Sequence, residues 1–410
     1  FLIWVKNICL IIKAESFMKQ PFAVLGIFFL TFVISLFKSF IYSSTRIYFA
    51  FFFILSPSNI LHTMSNIVKF FSYVINKYLI FLLTFVYTIN YNVFIKERRK
   101  IMKEKKWDMY TYILESKQAV RDIVNQQEDI FNTTVDYILN KKIDQIYIIG
   151  SGTSYHAAVA AKPIIEKVLG IKVFQSYPID FKDELIFNKN TLVIGISHAG
   201  MSASTIAGLD KARNEGFATI AVTAEKDTPI LKHADQQLFI EMPIEYAGPK
   251  TKGYICSIVT LVILGLKVAL KQNRISQDIY DDYIKRMLKS SDNIPLIAEK
   301  AQEWYQNNKQ DFLKCRRLYI IGYENCISAM LEGTLKISES VRYSTQCYEL
   351  EEFMHGIYHC IDQDTYMFYL GSGGQYFNRA IQLKRYFEEE RNAHCFLISN
   401  ENNNKKDFYF

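Results

Sequence analysis

Residues 146–154 read Ile-Tyr-Ile-Ile-Gly-Ser-Gly-Thr-Ser. Four consecutive apolar residues followed by glycines interleaved with hydroxyls predict a fully buried strand that ends in a tight loop. The next stretch, about 155–169, has helical character, and Gly170 is its stop. Strand, loop and helix then recur along the chain. A short strand is expected at 172–175 and a continuous apolar one at 191–196, leading into Ser197-His198-Ala199-Gly200. A helix over 202–215 stops at Gly216, strands follow at 218–223 and about 237–240, and a long helix spans about 254–270. Upstream, apolar residues spaced by three, four or seven predict helix from Trp107 to Asn140.

Near-continuous apolar strands alternating with helices indicate a parallel sheet covered on both faces. The pattern starts again after a helical linker (about 275–308) with Arg317-Leu318-Tyr319-Ile320-Ile321-Gly322 and strands near 366–370 and 394–398. The expected class is α/β: two similar units in tandem, 102–274 and 275–410, each with helices on both sides of a parallel sheet. The second is expected to be truncated at its C-terminal end, soon after a third or fourth strand. A complete copy would need at least one more strand and a helix.

Residues 1–101 differ from the rest. They hold 11 Lys/Arg against 2 Asp/Glu, leaving 37 against 39 for 102–410. The net charge of +7 therefore comes from the first hundred residues, and the folded part lacks the clustered basic surface that nucleic acid needs. Apolar runs at 22–37, 47–55 and 78–87 are short of the roughly 20 residues of a membrane span, although flanking residues extend them. Two readings stand: a membrane anchor, or an upstream translation artefact. The second rests on the A/T-rich codon flavour of Phe, Ile, Lys, Asn and Tyr. It also rests on Arg98-Arg99, which would spell a ribosome-binding sequence before Met102 if both codons were AGG. The seven cysteines form no CxxC pair and are odd in number, which argues against a disulfide framework or a zinc site and fits the reducing cytoplasm.

In open parallel sheets, ligands bind beyond the carboxyl ends of the strands. Two loops qualify. Gly150-Ser151-Gly152-Thr153-Ser154 offers close backbone approach, hydroxyl donors and a helix N-terminus, which together make an anion site. Ser197-His198-Ala199-Gly200-Met201-Ser202-Ala203-Ser204-Thr205 repeats the arrangement. Taken singly, such hydroxyls are as readily helix caps. Neither loop carries a Walker lysine or GxGxxG.

In the second unit Glu332, Lys336 and Glu339 stand at i, i+4 and i+7, hence on one helix face. Such spacing usually marks a solvated ion-pair face. Here the surrounding residues are apolar and small (Ile327, Ala329, Met330, Gly333, Leu335), and the helix begins near a strand end. His355 follows sixteen residues after Glu339, and imidazole passes protons near neutrality.

With these residues in view, the chain from about Lys103 to Asn400 resembles the SIS (sugar isomerase) domain family. It resembles in particular the isomerase half of glutamine–fructose-6-phosphate transaminase, with fructosamine 6-phosphate deglycases as near relatives. The family's G-T-S loop stands as Gly152-Thr153-Ser154, and its S-x-S-G-x-T loop stands, altered, as Ser197 to Ser202. Glu245 and Lys252 keep the family's spacing. The helix motif E-G-x-L-K-x-x-E is intact from Glu332 to Glu339, and H-G stands as His355-Gly356.

The resemblance implies two tandem SIS-type αβα units. It implies that Glu339 moves a proton between sugar C1 and C2, and that Glu332 and Lys336 set the charge around it. His355 would open the sugar ring from the second subunit of a homodimer with shared sites. Gly152, Thr153, Ser154, Ser197, His198, Gly200, Ser202 and Thr205 would hold phosphate and hydroxyls. No metal or other cofactor is implied.

There are departures. His198 and Ala199 replace a usual glutamine and serine, and Lys250 stands where a small hydroxyl residue is usual, matching an extra negative charge on the ligand. The family's glutamine-hydrolysing domain has no counterpart in 1–101, so no ammonia source and no complete glucosamine 6-phosphate synthesis are expected of this chain alone. The family's C-terminal tail, with a lysine that closes the site, has no counterpart either, which implies a truncated, poorly active product.

The expected function is thus a cytoplasmic phosphosugar isomerase-type or amino-transferring enzyme acting on a hexose 6-phosphate. Alternatives are a fructosamine 6-phosphate deglycase and a non-catalytic sugar-phosphate sensor. Membrane association is expected only if 1–101 is a real anchor.

Overall fold

The computed structural model describes residues 108–401 and 406–410, apart from residue 343; these belong to a unit running from Met102 to Phe410. Both expectations for 1–101 lie outside the described residues.

Two helices open the unit: α1 (Met109–Asn125), capped by the Asp108 side chain on the Thr111 amide, and α2 (Gln127–Leu139). The helical stretch expected over 107–140 is thus two helices. It breaks at Gln126, whose backbone leaves the helical region.

The first sheet holds β1 (Gln145–Gly150), β2 (Lys172–Ser176), β3 (Thr191–Ile196), β4 (Ala218–Thr223) and β5 (Gln236–Phe239). They run in the order β2-β1-β3-β4-β5, all parallel. Between them lie α3 (Thr153–Leu169), the short α4 (Pro178–Asp183) and α5 (Ala203–Asn214), and α6 (Lys252–Lys271) follows β5. Every residue of β3 is buried, as a strand covered on both faces requires. One face packs Ile146, Ile148, Leu192 and Ile194 against α1, α2, α3 and α6. The other packs Tyr147, Ile149 and Val193 against Phe181 and Leu209 of α4 and α5. The apolar α6 is long enough to cross a membrane by length and composition, but it is mostly buried, as the central helix of this layer.

Helix α7 (Gln277–Phe312), 36 residues with Ser276 as its N-cap, runs along α1 and leads to the second sheet. That sheet holds β6 (Arg317–Gly322), β7 (Thr345–Glu349), β8 (Thr365–Gly371), β9 (His394–Ser399) and β10 (Phe408–Tyr409). Their order is β7-β6-β8-β9-β10, all parallel, which repeats the first sheet strand for strand. Helices α8 (Ile327–Ser340) and α9 (Phe377–Arg391) cover its two faces.

The expected shortfall of a strand in this unit is corrected, because the sheet has five. The fifth is two residues long and is held through Asp407, which accepts a 2.8 Å hydrogen bond from the Leu397 amide and stands 3.4 Å from the buried Lys384. Burial raises the Asp407 carboxyl above its ordinary value.

In this strand order the chain turns opposite ways after β1 and after β3, and a crevice opens between their carboxyl ends. The loops at 150–152 and 197–202 face that crevice.

Candidate active site

The glycine-hydroxyl loop begins where β1 ends. Gly152 takes φ +54, the left-handed region where a side chain is strained, and it turns the chain into α3. The N-cap of α3 is Gly152, which has no side chain to cap the helix start. A Cβ on Gly152 would meet Leu335 of α8 at 3.6 Å. Thus α8, from the second unit, lies directly over the first unit's loop. Helices α3 and α8 are equivalents, each following the first strand of its unit, and they pack on one another.

This packing decides the fate of the i, i+4, i+7 triplet. Glu332 is 6% exposed and turns towards α3, not to solvent. Its Oε1 accepts a 3.0 Å hydrogen bond from Thr153 Oγ1, and its Oε2 stands 2.6 Å from His156 Nδ1. Lys336 Nζ donates to Thr153 Oγ1 at 3.2 Å, lies 3.3 Å from Glu332 Oε1 and pairs with Glu339 Oε2 at 2.6 Å. A buried carboxylate is tolerable only when donors satisfy it, and three donors do so here. The Lys336 side chain is 12% exposed and that of Glu339 37%, so Glu339 sits at the open end of the row.

The loop hydroxyls are not equivalent. The Thr153 proton is committed to Glu332. The Ser154 hydroxyl is half-buried and makes no side-chain hydrogen bond among the described residues. In the second loop Ser202 caps α5, and its Oγ accepts from the Thr205 amide at 3.4 Å and the Thr205 hydroxyl at 2.9 Å. Ser197 Oγ accepts from the Ser202 amide at 3.3 Å. Gly200 has φ +63 and leaves no room for a Cβ beside Thr228. Ser202 and Thr205 thus serve the helix start, and the Ser202 hydroxyl also lies 3.2 Å from the Ser204 hydroxyl.

His198 packs against Gly253 at the start of α6. A Cβ there would come within 2.6 Å of the imidazole. Its Nδ1 is buried with no hydrogen-bond partner among the described residues. Burial, with Lys250 and Lys252 adding to it, pushes its pKa down to about 4. Because that value lies below the ordinary 6.5, the unfolded chain binds the extra proton between those two pH values and the folded chain does not. The cost is absent above pH 6.5 and complete below about pH 4. Stability should therefore fall as pH drops through this window, by an amount on the order of 3 kcal/mol. Denaturant midpoints measured from pH 6.5 down to 4 should show a smaller decline for His198→Gln than for the parent chain; equal declines would refute the assignment.

Lys250 Nζ donates to the Glu245 carbonyl at 2.5 Å. Lys252 is fully buried, 2.7 Å from Glu115. Glu245 caps the start of α6 through the amides of Thr251 (2.7 Å) and Gly253 (2.8 Å).

Among the described residues, His355 makes no hydrogen bond or ion pair with this cluster. It is exposed on the short turns between β7 and β8, and its Nδ1 lies 2.9 Å from the Glu351 carbonyl. The second unit's own crevice carries Glu324 and Glu401 beside Gly374 and Gly373, where the first unit has hydroxyls. Those carboxylates oppose an anion at that loop.

Reading the sequence missed His156, which is buried one helical turn beyond Thr153 on the same face of α3. The i, i+3 spacing from Thr153 was the available signal.

The SIS domain model matches residues 138–266. Glutamine–fructose-6-phosphate aminotransferase (isomerizing) of Clostridium acetobutylicum is 28% identical over 285 residues, covering 67% of this chain and 46% of that protein. The chain spans about half the length of the curated relatives it matches. A crystal structure from Clostridium difficile 630, provisionally described as a phosphosugar isomerase, is 29% identical with a TM-score of 0.68, covering 73% of this chain and 84% of that one. Another, from Salmonella typhimurium LT2 and provisionally described as a sugar binding protein, is 25% identical with a TM-score of 0.68, covering 74% and 92%. With five parallel strands in each of two sheets and a hydroxyl-lined loop at the first switch point, residues 138–266 match the SIS domain, and the fold is similar to those of solved structures described as phosphosugar isomerases.

Proposed function

We propose that the chain is an enzyme that moves a proton between C1 and C2 of a hexose 6-phosphate. The observation that carries this reading is the row Glu332–Lys336–Glu339, which faces the first unit's loop and ends at a solvent-accessible carboxylate beside it. Ser154, Ser197 and the N-terminus of α3 supply donors for the phosphate. His198 and Gly200 shape the second wall, and Lys250 stands near it. Glu339 takes the proton from one carbon and returns it to the next. Lys336 orients the Glu339 carboxylate before it takes the proton and places a cation near the developing enediolate. Glu332 and Thr153 hold Lys336 in place.

Ring opening needs an acid or base near neutrality at the ring oxygen, the task an imidazole suits. His355 performs it from a second copy of the chain, a reading supported by its exposure and its lack of a hydrogen bond to the cradle among the described residues. A sugar phosphate and a second subunit are then the partners, with no cofactor needed for proton transfer.

The test is incubation of the full chain with fructose 6-phosphate in deuterated water. Aldose formation with deuterium at C2 is expected. Release of amine from a glycated amino acid 6-phosphate, with fructose 6-phosphate untouched, would favour a deglycase. Binding of both without turnover would leave a sensor and refute the proposal.

A further inference from the structure

The pair formed by His156 and Glu332 joins the two units at the point where the cradle meets the reactive helix. Both side chains are nearly inaccessible, at 10% and 8% exposed, and the contact is 2.6 Å. An imidazole N–H at that distance donates to the carboxylate, which places the proton on Nδ1. The His156 main chain is tied to the same helix: its carbonyl accepts a 2.7 Å hydrogen bond from Ser328 Oγ, and Ser328 in turn bonds Tyr254 of α6. His156 is thus fixed on both its side chain and its backbone.

The consequence runs along the row. With Oε2 held by His156, Glu332 Oε1 is aimed at Thr153 and Lys336. Thr153 then donates its one hydroxyl proton to Glu332 and accepts from Lys336, and Lys336 turns another proton to Glu339. Remove the imidazole donor, and the carboxylate is free to rotate away from Thr153. Lys336 would lose one of its anchors and Glu339 its fixed cation.

We infer that His156 is a positioning residue for the reaction. It acts through Glu332, Thr153 and Lys336 to hold Glu339, and it touches no ligand itself. This rests on the proton-transfer reading above.

Two substitutions test it. In His156→Asn the amide nitrogen occupies the place of Nδ1 and can still donate to Glu332. In His156→Leu the volume is kept and the donor is lost. With fructose 6-phosphate, His156→Leu is expected to lower kcat at least about 10-fold while KM changes less than about 3-fold. His156→Asn should retain kcat within about 3-fold of the parent. A purely structural role would instead show as parallel loss in both variants or as a change in KM alone.

Crystal structures of the variants give a readout that needs no turnover: Glu332 should leave Thr153 in His156→Leu and stay in His156→Asn. The inference is overturned if His156→Leu keeps the parent kcat, if His156→Asn falls as far as His156→Leu, or if Glu332 keeps its place without the donor. Should the parent chain turn over no sugar phosphate, the proton-transfer reading fails and the crystallographic arm still decides the positioning. If His156→Leu does not fold, the kcat and structure of His156→Asn decide it.

Discussion

Replacing Glu339 by glutamine is expected to lower hexose 6-phosphate isomerisation by about 10²–10⁴-fold with little change in ligand affinity. Glutamine keeps the size of the side chain and can still accept a hydrogen bond from Lys336, now 2.6 Å from the carboxylate. What it loses is the ability to take a proton from carbon. Affinity should survive because the phosphate donors lie elsewhere, on the loops after β1 and β3. Deuterium incorporation from solvent should fall by the same factor, since one group serves both transfers. His355→Asn should be similarly slow with the closed sugar and nearly normal with an open-chain analogue.

Mixing Glu339→Gln and His355→Asn chains then gives a strong test of the shared site. Random exchange makes half the dimers mixed, and each mixed dimer has one site with both groups intact, so about a quarter of the parent activity should return. A Glu339→Gln enzyme at full rate would remove the proton-shuttle role. Two dead variants that stay dead on mixing would put His355 outside the partner's site.

The strands most clearly marked in the sequence were central ones, with neighbours on both sides, although the edge strands β2 and β5 were also legible. The apolar runs 192–196, 220–222 and 318–321 lie inside the observed β3, β4 and β6. The elements that escaped notice lie at edges or carry charge in the core. β7 reads Thr-Gln-Cys-Tyr-Glu and sits at the sheet edge, so no apolar run marks it. The stripe of α9 places Lys384 among Phe377, Ala380, Leu383 and Phe387, and a buried lysine hides the period. β10 is two residues long, and its docking depends on the Asp407 contact with Lys384 rather than on its own pattern.

The candidate site divides the same way. The spacing of Glu332, Lys336 and Glu339 puts them on one face whatever surrounds the helix, so their alignment was legible. Which way that face points was not, because the answer comes from Thr153 and His156, 179 and 176 residues away from Glu332. Hydroxyl counting identified the two loops but did not separate ligand donors from helix caps. Ser202 and Thr205 turn out to be bonded to each other, and Thr153 to Glu332.

Gly200→Ala is expected to destabilise the chain by about 3 kcal/mol and to disorder the second wall of the cradle. Two costs add. The backbone at Gly200 has φ +63, a left-handed conformation that costs an L-residue about 1–2 kcal/mol. The new methyl would also stand 2.1 Å from Thr228 Oγ1 and 2.4 Å from Thr228 Cβ, far inside contact distance. Thr228 has little freedom to withdraw: it is buried, its hydroxyl donates to the Glu225 carbonyl, and the Ile230 amide beyond it bonds the Gly200 carbonyl. The strain must therefore move the loop that carries Ser197, His198 and Ser202. KM for the sugar phosphate should rise along with the loss of stability.

The double variant Gly200→Ala/Thr228→Gly separates the two costs. It removes the overlap and leaves the backbone penalty, so it should recover part of the midpoint lost in urea but not all of it. Full recovery would show that the left-handed backbone costs nothing here. A single Gly200→Ala variant with the parent midpoint would show that the loop is not packed as described, and the two-loop cradle would lose its second wall.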